Sequence, residues 1–415
     1  MVRKIFISFL GVSNYIDCVY TIDGKESEVV FYVQNSIIEL LASDFDKFFI
    51  FCTEKAYDTH FEKLQIESKK KLEAVIIPDG LNEEEIWRIF EVVYEKLNSG
   101  DEVVYDITHS FRSLPMLGIT LLQYSKFLKN IKVLGIYYGA FENLGSPRDI
   151  EKKYPLAKER KVPILNLTSF SMLQDWTSAA NNFIKLGHAK MIGELTNQSL
   201  TPILTQSKGK DRNASTLRSL SKQLENFSDD FRANRGKNII EAQSAVRAKQ
   251  IINEVENYSL IPPFKPIVNH IKSTLEKYKE NSVENLLSGV EWCIDKQLIQ
   301  EGMTQLQEGI ITILCNKINC ESESIKVREL LSSYLSVRFR YKEEDWKGEL
   351  AKKENREIVD QLDEIDDIKE IAACYDAITK KRNDINHGGF VKNASYADFS
   401  KSLKDNYNKV KKYLN

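Results

Sequence analysis

The pattern of hydrophobic and polar residues changes its period once along this 415-residue chain, near residue 168. Up to that point, short apolar runs typical of buried strands alternate with stretches whose apolar residues recur at helical spacing. Asn82 is a predicted helix N-cap. The alternation predicts an α/β fold, a mostly parallel sheet with helices on both faces. The predicted strands are residues 4–10, a hairpin over 18–33 that turns at Asp23-Gly24, and residues 46–53, 72–80, 102–108 and 131–140.

Beyond residue 168 the strand signal disappears, and apolar residues recur at the i, i+3, i+4 and i+7 positions of amphipathic helices. Residues 290–314 are predicted to form one long helix. Prolines lack a backbone N–H and end helices, so the proline-rich segment 261–266 predicts a boundary within this half. We therefore predict an α/β domain over 1–168, a helical connector over 169–272 and an all-α domain over 273–415.

The composition is that of an ordinary globular protein, with 42% hydrophobic and 28% charged residues. A net charge of −2 excludes a strongly basic protein that binds nucleic acid over its whole surface, so any polyanion site has to be local. Residues 207–250 are one candidate, with ten Lys and Arg against five Asp and Glu. This stretch is either an RNA-facing patch or a solvated helical face.

The sequence carries no feature typical of membrane, secreted or zinc-binding proteins. No apolar run reaches bilayer-spanning length, and the N-terminal apolar stretch continues into a strand pattern without a signal-peptide cleavage site. The six cysteines are scattered without a CxxC pair, which indicates neither a zinc site nor a disulfide framework. We therefore expect a cytoplasmic protein with free thiols and no membrane partner.

The loop after the first predicted strand, LGVSNY, carries residues suited to a ligand. Gly11 lets a ligand approach the backbone closely, and Tyr15 offers a stacking face. Ser13 and Asn14 offer hydrogen bonds. A glycine after a strand is also an ordinary turn residue, so this loop alone does not decide between the two interpretations.

A second loop, in DITHSFRSLP, lies where a strand ends and a helix begins. Free backbone N–H groups at Thr108, His109 and Ser110 favour an anion there. Arg112 adds a charge suited to phosphate. Ser and Thr are also common helix caps, so this loop has a purely structural interpretation as well.

A third loop, in IYYGAFEN, adds Tyr137, Tyr138 and Asn143. Because the carboxyl ends of parallel strands meet at one edge of a sheet, we expect the three loops to form one ligand site. The chain lacks both GxGxxG and GxxxxGK[ST], the fingerprints of dinucleotide and NTP binding. Phosphate donors and stacking tyrosines without these fingerprints predict an unusual nucleotide as the ligand.

A polar motif near the C-terminus, in KKRNDINHGGF, places Arg382, Asn383 and His387 close together. On a helix, Arg382 and His387 diverge by about 140°, whereas Asn383 and His387 share a face. Gly388-Gly389 predicts a helix end, where the helix dipole favours a protonated His387. One copy of the motif therefore does not direct both Arg382 and His387 at the same phosphate, whereas two copies across a two-fold axis could do so together. The spacing alone is more typical of surface residues at a helix end.

Arginine and histidine suit RNA cleavage without a metal ion. The RNA 2′-hydroxyl attacks its own adjacent phosphate, and the enzyme supplies alignment, proton transfer and positive charge. No carboxylate–histidine cluster in the sequence has an obvious metal spacing, so the sequence does not predict a two-metal nuclease.

FLGVSNY together with YDITHSFRSLPML resembles the CARF sensor domains of type III CRISPR ancillary proteins, in the Csx subgroup. The resemblance covers roughly the first 165 residues. It implies a Rossmann-like domain that dimerises and binds a cyclic oligoadenylate across the two-fold axis, with tetra-adenylate favoured over hexa-adenylate. Matched motif to motif, the implied ligand contacts are Gly11, Ser13, Asn14, Tyr15, Thr108, His109, Ser110, Phe111 and Arg112.

R-x4-H with Asn directly after Arg, late in a helical domain, is similar to the signature of HEPN ribonucleases. The predicted helix over 290–314 is similar to the first long HEPN helix. Both resemblances together imply a homodimeric type III CRISPR ribonuclease, or an assembly of such dimers, that needs no catalytic cofactor. Its single-stranded RNA substrate would be left with a 2′,3′-cyclic phosphate and a 5′-hydroxyl. Arg382 would bind the phosphate, His387 would transfer protons and Asn383 would orient the scissile group.

Two alternatives to this function remain open. The chain could be a non-catalytic ligand sensor whose basic helices over 207–250 bind nucleic acid. The α/β domain could also degrade its own activator, with help from His109 or the neighbouring hydroxyl groups.

Overall fold

The chain divides into two compact units, Met1–Asp175 and Trp176–Asn415. Their structure is a computed structural model that describes residues 2–108, 114–145, 147–254, 260–390 and 394–414. The first unit is a mixed α/β unit and the second is helical, as the change of period near residue 168 predicted. The second unit contains almost all of the predicted connector and the whole predicted all-α domain, so the three-part division stays a prediction.

One sheet forms the centre of the first unit, and its described residues contain eight strands. Their order across the sheet is β3-β2-β8-β7-β6-β1-β4-β5. The first seven strands are those that the sequence predicted. The strands are β1 Lys4–Leu10, β2 Cys18–Ile22, β3 Lys25–Val30, β4 Lys47–Cys52, β5 Glu73–Ile76, β6 Glu102–Asp106, β7 Lys132–Gly139 and β8 Lys161–Asn166.

The sheet is mostly parallel, as predicted. A continuous parallel ladder runs from β5 through β4, β1 and β6 to β7. β2 and β8 are also parallel, whereas β8 pairs antiparallel with β7 and β3 pairs antiparallel with β2. At the hairpin between β2 and β3, Asp23 (φ 49°) and Gly24 (φ 77°) both have left-handed backbone. The turn chemistry predicted from the sequence is therefore present.

Strand β8 was not predicted from the hydrophobic pattern. Its sequence, KVPILN, is short and contains Pro163, a residue that usually marks a strand edge or an irregular segment. In the sheet, the Pro163 carbonyl accepts a hydrogen bond of 2.9 Å from the N–H of Ala140. Pairing with a strand on each side thus outweighs the weak local signal.

The helices of the first unit flank this sheet. A π-helix, Tyr57–Phe61, lies between the second and third helices. Asn82 caps the fourth helix as predicted, because its side-chain oxygen accepts a hydrogen bond of 2.9 Å from the N–H of Glu85. The helices are α1 Val33–Leu41, α2 Glu54–Ala56, α3 Glu62–Glu67, α4 Glu83–Lys96, α5 Leu114–Lys129, α6 Pro147–Lys153 and α7 Thr168–Leu186, which contains the division between the units.

Side chains of β1 alternate between two hydrophobic layers, one on each face of the sheet. Ile5 and Phe9 pack into one layer, and Phe6 and Leu10 pack into the other. Both faces are therefore covered by apolar side chains, as expected for a parallel sheet with helices on both sides. Ser8, a polar residue within this apolar strand, is fully buried. It lies at the edge of the candidate ligand site.

The second unit is built from helices around two hydrophobic clusters. One cluster draws on residues 176–293 and the other on residues 287–414, so that α13 contributes to both. No helix in the described part of the chain is long and apolar enough to cross a membrane. The helices are α8 Lys190–Gln206, α9 Arg212–Arg232, α10 Gly236–Glu241, α11 Gln243–Glu254, α12 Phe264–Leu275, α13 Asn285–Asp295, α14 Ile299–Lys317, α15 Ile325–Val337, α16 Arg356–Asp363, α17 Ile368–Asn386 and α18 Tyr396–Leu414.

The prediction of one long helix over 290–314 is wrong, because the chain breaks between α13 and α14. Gln297 has left-handed backbone with φ 60°. The N–H of Leu298 bonds to the carbonyl of Cys293 at 2.8 Å, a pattern that closes a helix C-terminus. Glutamine rarely adopts this conformation, so the sequence carries no local sign of the break.

Candidate functional site

The loops after β1, β6 and β7 begin side by side at the carboxyl edge of the sheet. The register places Ser8 of β1 opposite Asp106 of β6, and Asp106 opposite Tyr137 of β7. The order of strands also changes sides at β1. β4 and β5, which come next in this ladder along the chain, lie on one side of β1, whereas β6 and β7 lie on the other side. Open α/β sheets bind ligands at such a switch point. The loops selected from the sequence therefore start where a ligand of this fold is expected.

Asp106, the last residue of β6, organises this edge. Its buried carboxylate accepts a hydrogen bond of 2.7 Å from Ser8 Oγ. It also accepts hydrogen bonds from Thr108, 2.6 Å from Oγ1 and 2.9 Å from the backbone N–H. Burial raises the pKa of Asp106, while these hydrogen bonds favour the ionised form and act in the opposite direction. The carboxylate thereby fixes the second residue of the loop after β6, Thr108.

Thr108 also joins this loop to the neighbouring strand. Its Oγ1 accepts a hydrogen bond of 2.8 Å from the N–H of Gly139 at the end of β7. A Cβ at Gly139 would lie 2.7 Å from Val33 and 2.8 Å from Tyr20, so close packing requires glycine there. The hydroxyl and N–H of Thr108 both bind Asp106, which gives Thr108 a structural role at the loop start. Its predicted ligand contact stays a prediction.

Tyr15 packs beneath its own loop. Its hydroxyl donates to the Gly11 carbonyl and accepts from the Gly11 N–H, both at 3.2 Å. Its ring centroid lies 4.8 Å from the ring centroids of Tyr32 and His60. Tyr15 therefore fixes the shape of the loop, and the stacking face predicted for it contacts protein side chains. The exposed side chains of this loop include Ser13 and Asn14.

His60, in the π-helix, supports the same loop and was not singled out from the sequence. Its Nδ1 lies 3.2 Å from the Tyr32 hydroxyl. Burial lowers the pKa of His60, and the backbone carbonyls of Val12 and Ser13 act in the opposite direction. π-Helical segments are frequent at functional sites, but only the folded backbone reveals this one.

The other two loops are described in part. In the loop after β7, Tyr137 is buried, Asn143 is exposed, and the Tyr138 hydroxyl donates to Glu142 at 2.9 Å. The remaining predicted ligand contacts stay predictions, because they lie outside the described residues: His109, Ser110, Phe111 and Arg112.

The RNDINH motif lies at the C-terminal end of α17. The helix ends at Asn386, and His387 follows as its cap. Gly388 and Gly389 have φ of 65° and 73°, and their N–H groups bond back to the carbonyls of Ile385 and Asp384. The helix end predicted from the two glycines is therefore confirmed.

Arg382 faces the interior of the second unit. Its Nη1 donates to Gln307 Oε1 of α14 at 2.9 Å. Gln307 is buried, and its Nε2 donates to Thr379 Oγ1 at 3.0 Å and to the Tyr375 hydroxyl at 3.3 Å. The Tyr375 hydroxyl donates to Ser332 of α15 at 2.9 Å. The Arg382 Nε is buried and has no hydrogen-bond partner in the described part of the chain. This N–H group of the guanidinium is therefore an unused hydrogen-bond donor.

Asn383 and His387 are exposed, whereas Arg382 is directed towards Gln307. This division follows from the helical spacing of about 100° per residue. A single α17 therefore does not direct all three side chains to one point. The arrangement agrees with the expectation that two copies act together, which stays a prediction.

Sequence reasoning missed the two residues that hold the candidate functional side chains, Asp106 and Gln307. Asp106 ends a buried strand two residues before Thr108, the spacing of a side-chain-to-backbone turn. Gln307 lies in the apolar stripe of α14, between Met303 and Ile310. A polar residue in such a stripe is costly unless hydrogen-bonded, and this is the signal that could have revealed it.

The basic stretch 207–250 forms α9, α10 and α11. Nine of its ten basic side chains are exposed, and the tenth, Lys249, donates to the Tyr278 carbonyl. Lys222 and Lys237 pair with Glu225 and Glu323 on the surface. Both interpretations of this stretch, a solvated face and a nucleic-acid surface, agree with these positions. Across the described residues, no group of three or more His, Cys, Asp or Glu side chains could hold a metal ion.

Comparison with known proteins gives two similarities. Residues 172–283 match the family described as CRISPR-associated protein MJ1674, second domain. The chain is also 24% identical over 367 residues to the CRISPR-associated protein MJ1674 of Methanocaldococcus jannaschii. This alignment covers 85% of the chain and 51% of that protein, so the chain spans about half the length of this curated relative. The matched second domain coincides with most of the predicted connector.

Proposed function

We propose that this protein is an endoribonuclease of type III CRISPR antiviral defence, activated by a cyclic oligoadenylate and active as a homodimer. One combination of features carries the proposal: in a chain similar to a CRISPR-associated protein, an α/β edge suited to a nucleotide occurs together with Arg382 and His387 at a helix end. Neither feature alone specifies a ribonuclease.

In the proposed reaction, the 2′-hydroxyl of single-stranded RNA attacks the adjacent phosphate and the 5′-oxygen leaves. The products are a 2′,3′-cyclic phosphate and a 5′-hydroxyl. Arg382 binds the phosphate and stabilises its developing negative charge. His387 transfers protons, and Asn383 orients the scissile group. The reaction uses no metal ion, since side chains supply both the charge and the proton transfer.

The Gln307 network supports the role proposed for Arg382. Gln307 holds one guanidinium nitrogen at 2.9 Å, so the side chain is oriented before a phosphate arrives. Because His387 is exposed on another side of the same helix, we place the composite site where two copies of α17 face each other. Control by cyclic oligoadenylate requires that the ligand bind one arrangement of the dimer better than another.

Cleavage of single-stranded RNA in the presence of each cyclic oligoadenylate tests this function. We expect activation by one ring size, tetra-adenylate before hexa-adenylate, and 2′,3′-cyclic phosphate ends on the products. Arg382→Ala and His387→Ala should each lower the rate by at least about 100-fold. Arg88→Ala, which changes an exposed arginine in α4, is the matched control. Full activity in either motif variant contradicts the site.

A second candidate, a regulator that binds nucleic acid without cleaving it, is favoured by the exposed basic side chains of α9–α11. It predicts a gel shift of duplex DNA that weakens with salt, and no cleavage of RNA under any ligand. RNA cleavage that depends on Arg382 excludes it as the main activity.

A further inference from the structure

A groove of about 470 Å³ opens beside the RNDINH motif, within the second unit. Asp384 and Gly388 line it from the end of α17, Gln300 from α14, and Tyr396 and Phe399 from α18. Its volume is in the range of small-ligand pockets, about 300–1,000 Å³. It is not the Arg382 site, because Asp384 lies about 200° around the helix from Arg382 and the groove is thus on the opposite side of α17.

Asp384 is the feature of this groove that needs an explanation. The residue is only 9% exposed, yet no described residue donates a hydrogen bond to its carboxylate or forms an ion pair with it. The carboxylate lines the groove, so a ligand with N–H donors could bind it there in place of solvent. An ionised aspartate accepts hydrogen bonds and cannot donate them, so the ligand has to present donors.

The other walls of the groove favour a flat, aromatic ligand. Tyr396 is 58% exposed, and its hydroxyl donates to the Gln297 carbonyl at 3.4 Å, which orients the ring. Phe399 is half-buried beside it, and Lys381 Nζ lies 5.5 Å from the Phe399 ring centroid. Exposed aromatic rings stack on nucleobases, and a nearby lysine suits the phosphate of a nucleotide. A metal ion is a poorer match, since one carboxylate does not complete its coordination.

We propose that this groove holds one base of the RNA substrate next to the scissile phosphate, and that Asp384 selects a base with an amino group. The inference rests on the proposed function. Asp384 lies three residues before His387, about one helical turn or 4.5 Å along the axis. A base in the groove therefore leaves its phosphate close to His387.

Guanine is the best match to Asp384. Its Watson–Crick edge presents two adjacent donors, N1–H and the N2 amino group, to the two carboxylate oxygens. Adenine and cytosine present one amino donor next to a ring acceptor. Uracil has no amino group, and its single donor, N3–H, lies between two carbonyl oxygens that would repel the carboxylate. Single-stranded RNA exposes these edges for recognition. The order of preference at this position is therefore guanine first and uracil last.

The test compares RNA substrates that differ in one base next to the cleaved bond, with the activated protein. The wild-type chain should cleave the guanine substrate at least about tenfold faster than the uracil substrate, the discrimination typical of one bidentate contact. Asp384→Asn should reduce this ratio to about twofold or less, since an amide offers both a donor and an acceptor. Asp405→Asn, an exposed aspartate of α18, is the matched control and should keep the wild-type ratio.

Two further measurements show whether a variant changes base selection itself or changes folding or catalysis instead. Asp384→Asn should leave stability nearly unchanged, because the amide has the same size and the carboxylate has no hydrogen-bond or ion-pair partner among the described residues to lose. Binding of non-cleavable 2′-O-methyl oligonucleotides measures base preference without cleavage. Tyr396→Ala should weaken that binding by roughly tenfold, whereas Tyr396→Phe keeps the ring, loses only the long hydrogen bond of 3.4 Å to Gln297, and should bind within about twofold of the wild-type chain.

The possible outcomes distinguish this inference from the proposed function. Loss of base preference in Asp384→Asn supports the inference, even if only binding and no cleavage is found. Cleavage whose base preference is unchanged by Asp384→Asn overturns it, while the ribonuclease proposal stands. A change of oligomer mass in Tyr396→Ala with an unchanged base preference also overturns it, because the groove then belongs to an interface between copies.

Discussion

Asp106 and Gln307 are buried polar residues, and each holds a candidate functional side chain. Asp106 fixes Thr108 at the start of the loop after β6, and Gln307 fixes Arg382 in the RNDINH motif. Buried hydrogen-bonded groups of this kind position their partners at a free-energy cost that the surrounding contacts offset. At the scale of single residues, function should therefore be sensitive to positions that never touch a ligand.

Gln307→Leu tests the positioning of Arg382. The change keeps the side-chain size but removes the acceptor of Arg382 and one hydrogen bond each of Thr379 and Tyr375, which should cost about 1–3 kcal/mol of unfolding free energy. RNA cleavage should fall by about tenfold or more, mainly through kcat, because Arg382 loses its orientation.

Two further variants make the test of Gln307 specific. Gln307→Glu keeps the acceptor for Arg382 and should restore part of the activity lost in Gln307→Leu. Gln305→Leu also removes a buried glutamine of α14, one that donates to Asn234, and should leave cleavage unchanged. Equal losses at both positions would indicate a general effect on folding.

Gly11→Ala separates ligand approach from folding. Gly11 does not have left-handed backbone, and a Cβ there would meet only the Tyr15 hydroxyl, at 3.8 Å. Stability should change by less than about 0.5 kcal/mol, whereas affinity for the cyclic oligoadenylate should fall by about tenfold if the ligand packs against this backbone. Equilibrium binding with a thermal melt measures both effects. Unchanged affinity would remove Gly11 from the ligand site.

His60 predicts a pH dependence of stability in the first unit. Burial lowers its pKa in the folded chain, so the unfolded chain takes up a proton first as the pH falls below the ordinary value of about 6.5. As the pH falls from about 6.5 to the lower pKa of folded His60, the free energy of unfolding therefore decreases, and below that pKa it decreases no further. Its neighbours, Tyr15, Tyr32, Lys63 and the carbonyls of the supported loop, stay the same in a His60→Gln variant.

Urea unfolding at pH 7.5 and pH 5.5 measures this effect. The loss of stability on acidification should be smaller in His60→Gln than in the wild-type chain. An equal loss in both proteins would show that His60 does not contribute to it.

At the scale of elements, some helices and turns follow from local sequence signals, whereas other elements depend on tertiary contacts. Asn82 caps α4 and Asp23-Gly24 turns the hairpin, and both are local signals. β8 is different, because a short segment with Pro163 becomes a strand only through its neighbours β2 and β7. The break at Gln297 is also tertiary, since α13 packs into both hydrophobic clusters while α14 packs into one.

Gln297→Gly tests whether the break between α13 and α14 is strained. Gln297 has φ 60°, where glycine has no steric penalty, so the variant should be more stable by about 0.5–1 kcal/mol. Gln300→Gly, in the first turn of α14, should instead bring no gain in stability, because glycine has no advantage in helical backbone. Urea unfolding distinguishes the two. A loss of stability in Gln297→Gly would contradict the assigned backbone.

At the scale of the whole molecule, the proposed site needs two chains. His387 is exposed and Arg382 faces Gln307, so one α17 does not present both to one phosphate. The proposed activator binds the first unit and the proposed chemistry occurs in the second, so the ligand has to change the balance between two dimer arrangements.

Mixing wild-type chains with an Arg382→Ala, His387→Ala double variant tests the composite site. In an equal mixture with free subunit exchange, about a quarter of the dimers contain two wild-type chains. If both copies are required, activity should fall to about a quarter of the wild-type value. A fall to one half would mean that each copy works alone.

The sequence by itself determined the period change near residue 168, seven of the eight strands among the described residues, the helix end at Gly388-Gly389 and the candidate residues. These depend on local physics: side-chain periodicity, turn chemistry and helix geometry. Tertiary structure decided that β8 joins the sheet and that the helix breaks at Gln297. It also decided that Asp106 and Gln307 support the candidate functional side chains, and that Asp384 lines a groove without a partner among the described residues. Burial and hydrogen-bond partners far apart in the chain arise only when it folds, and no local pattern encodes them.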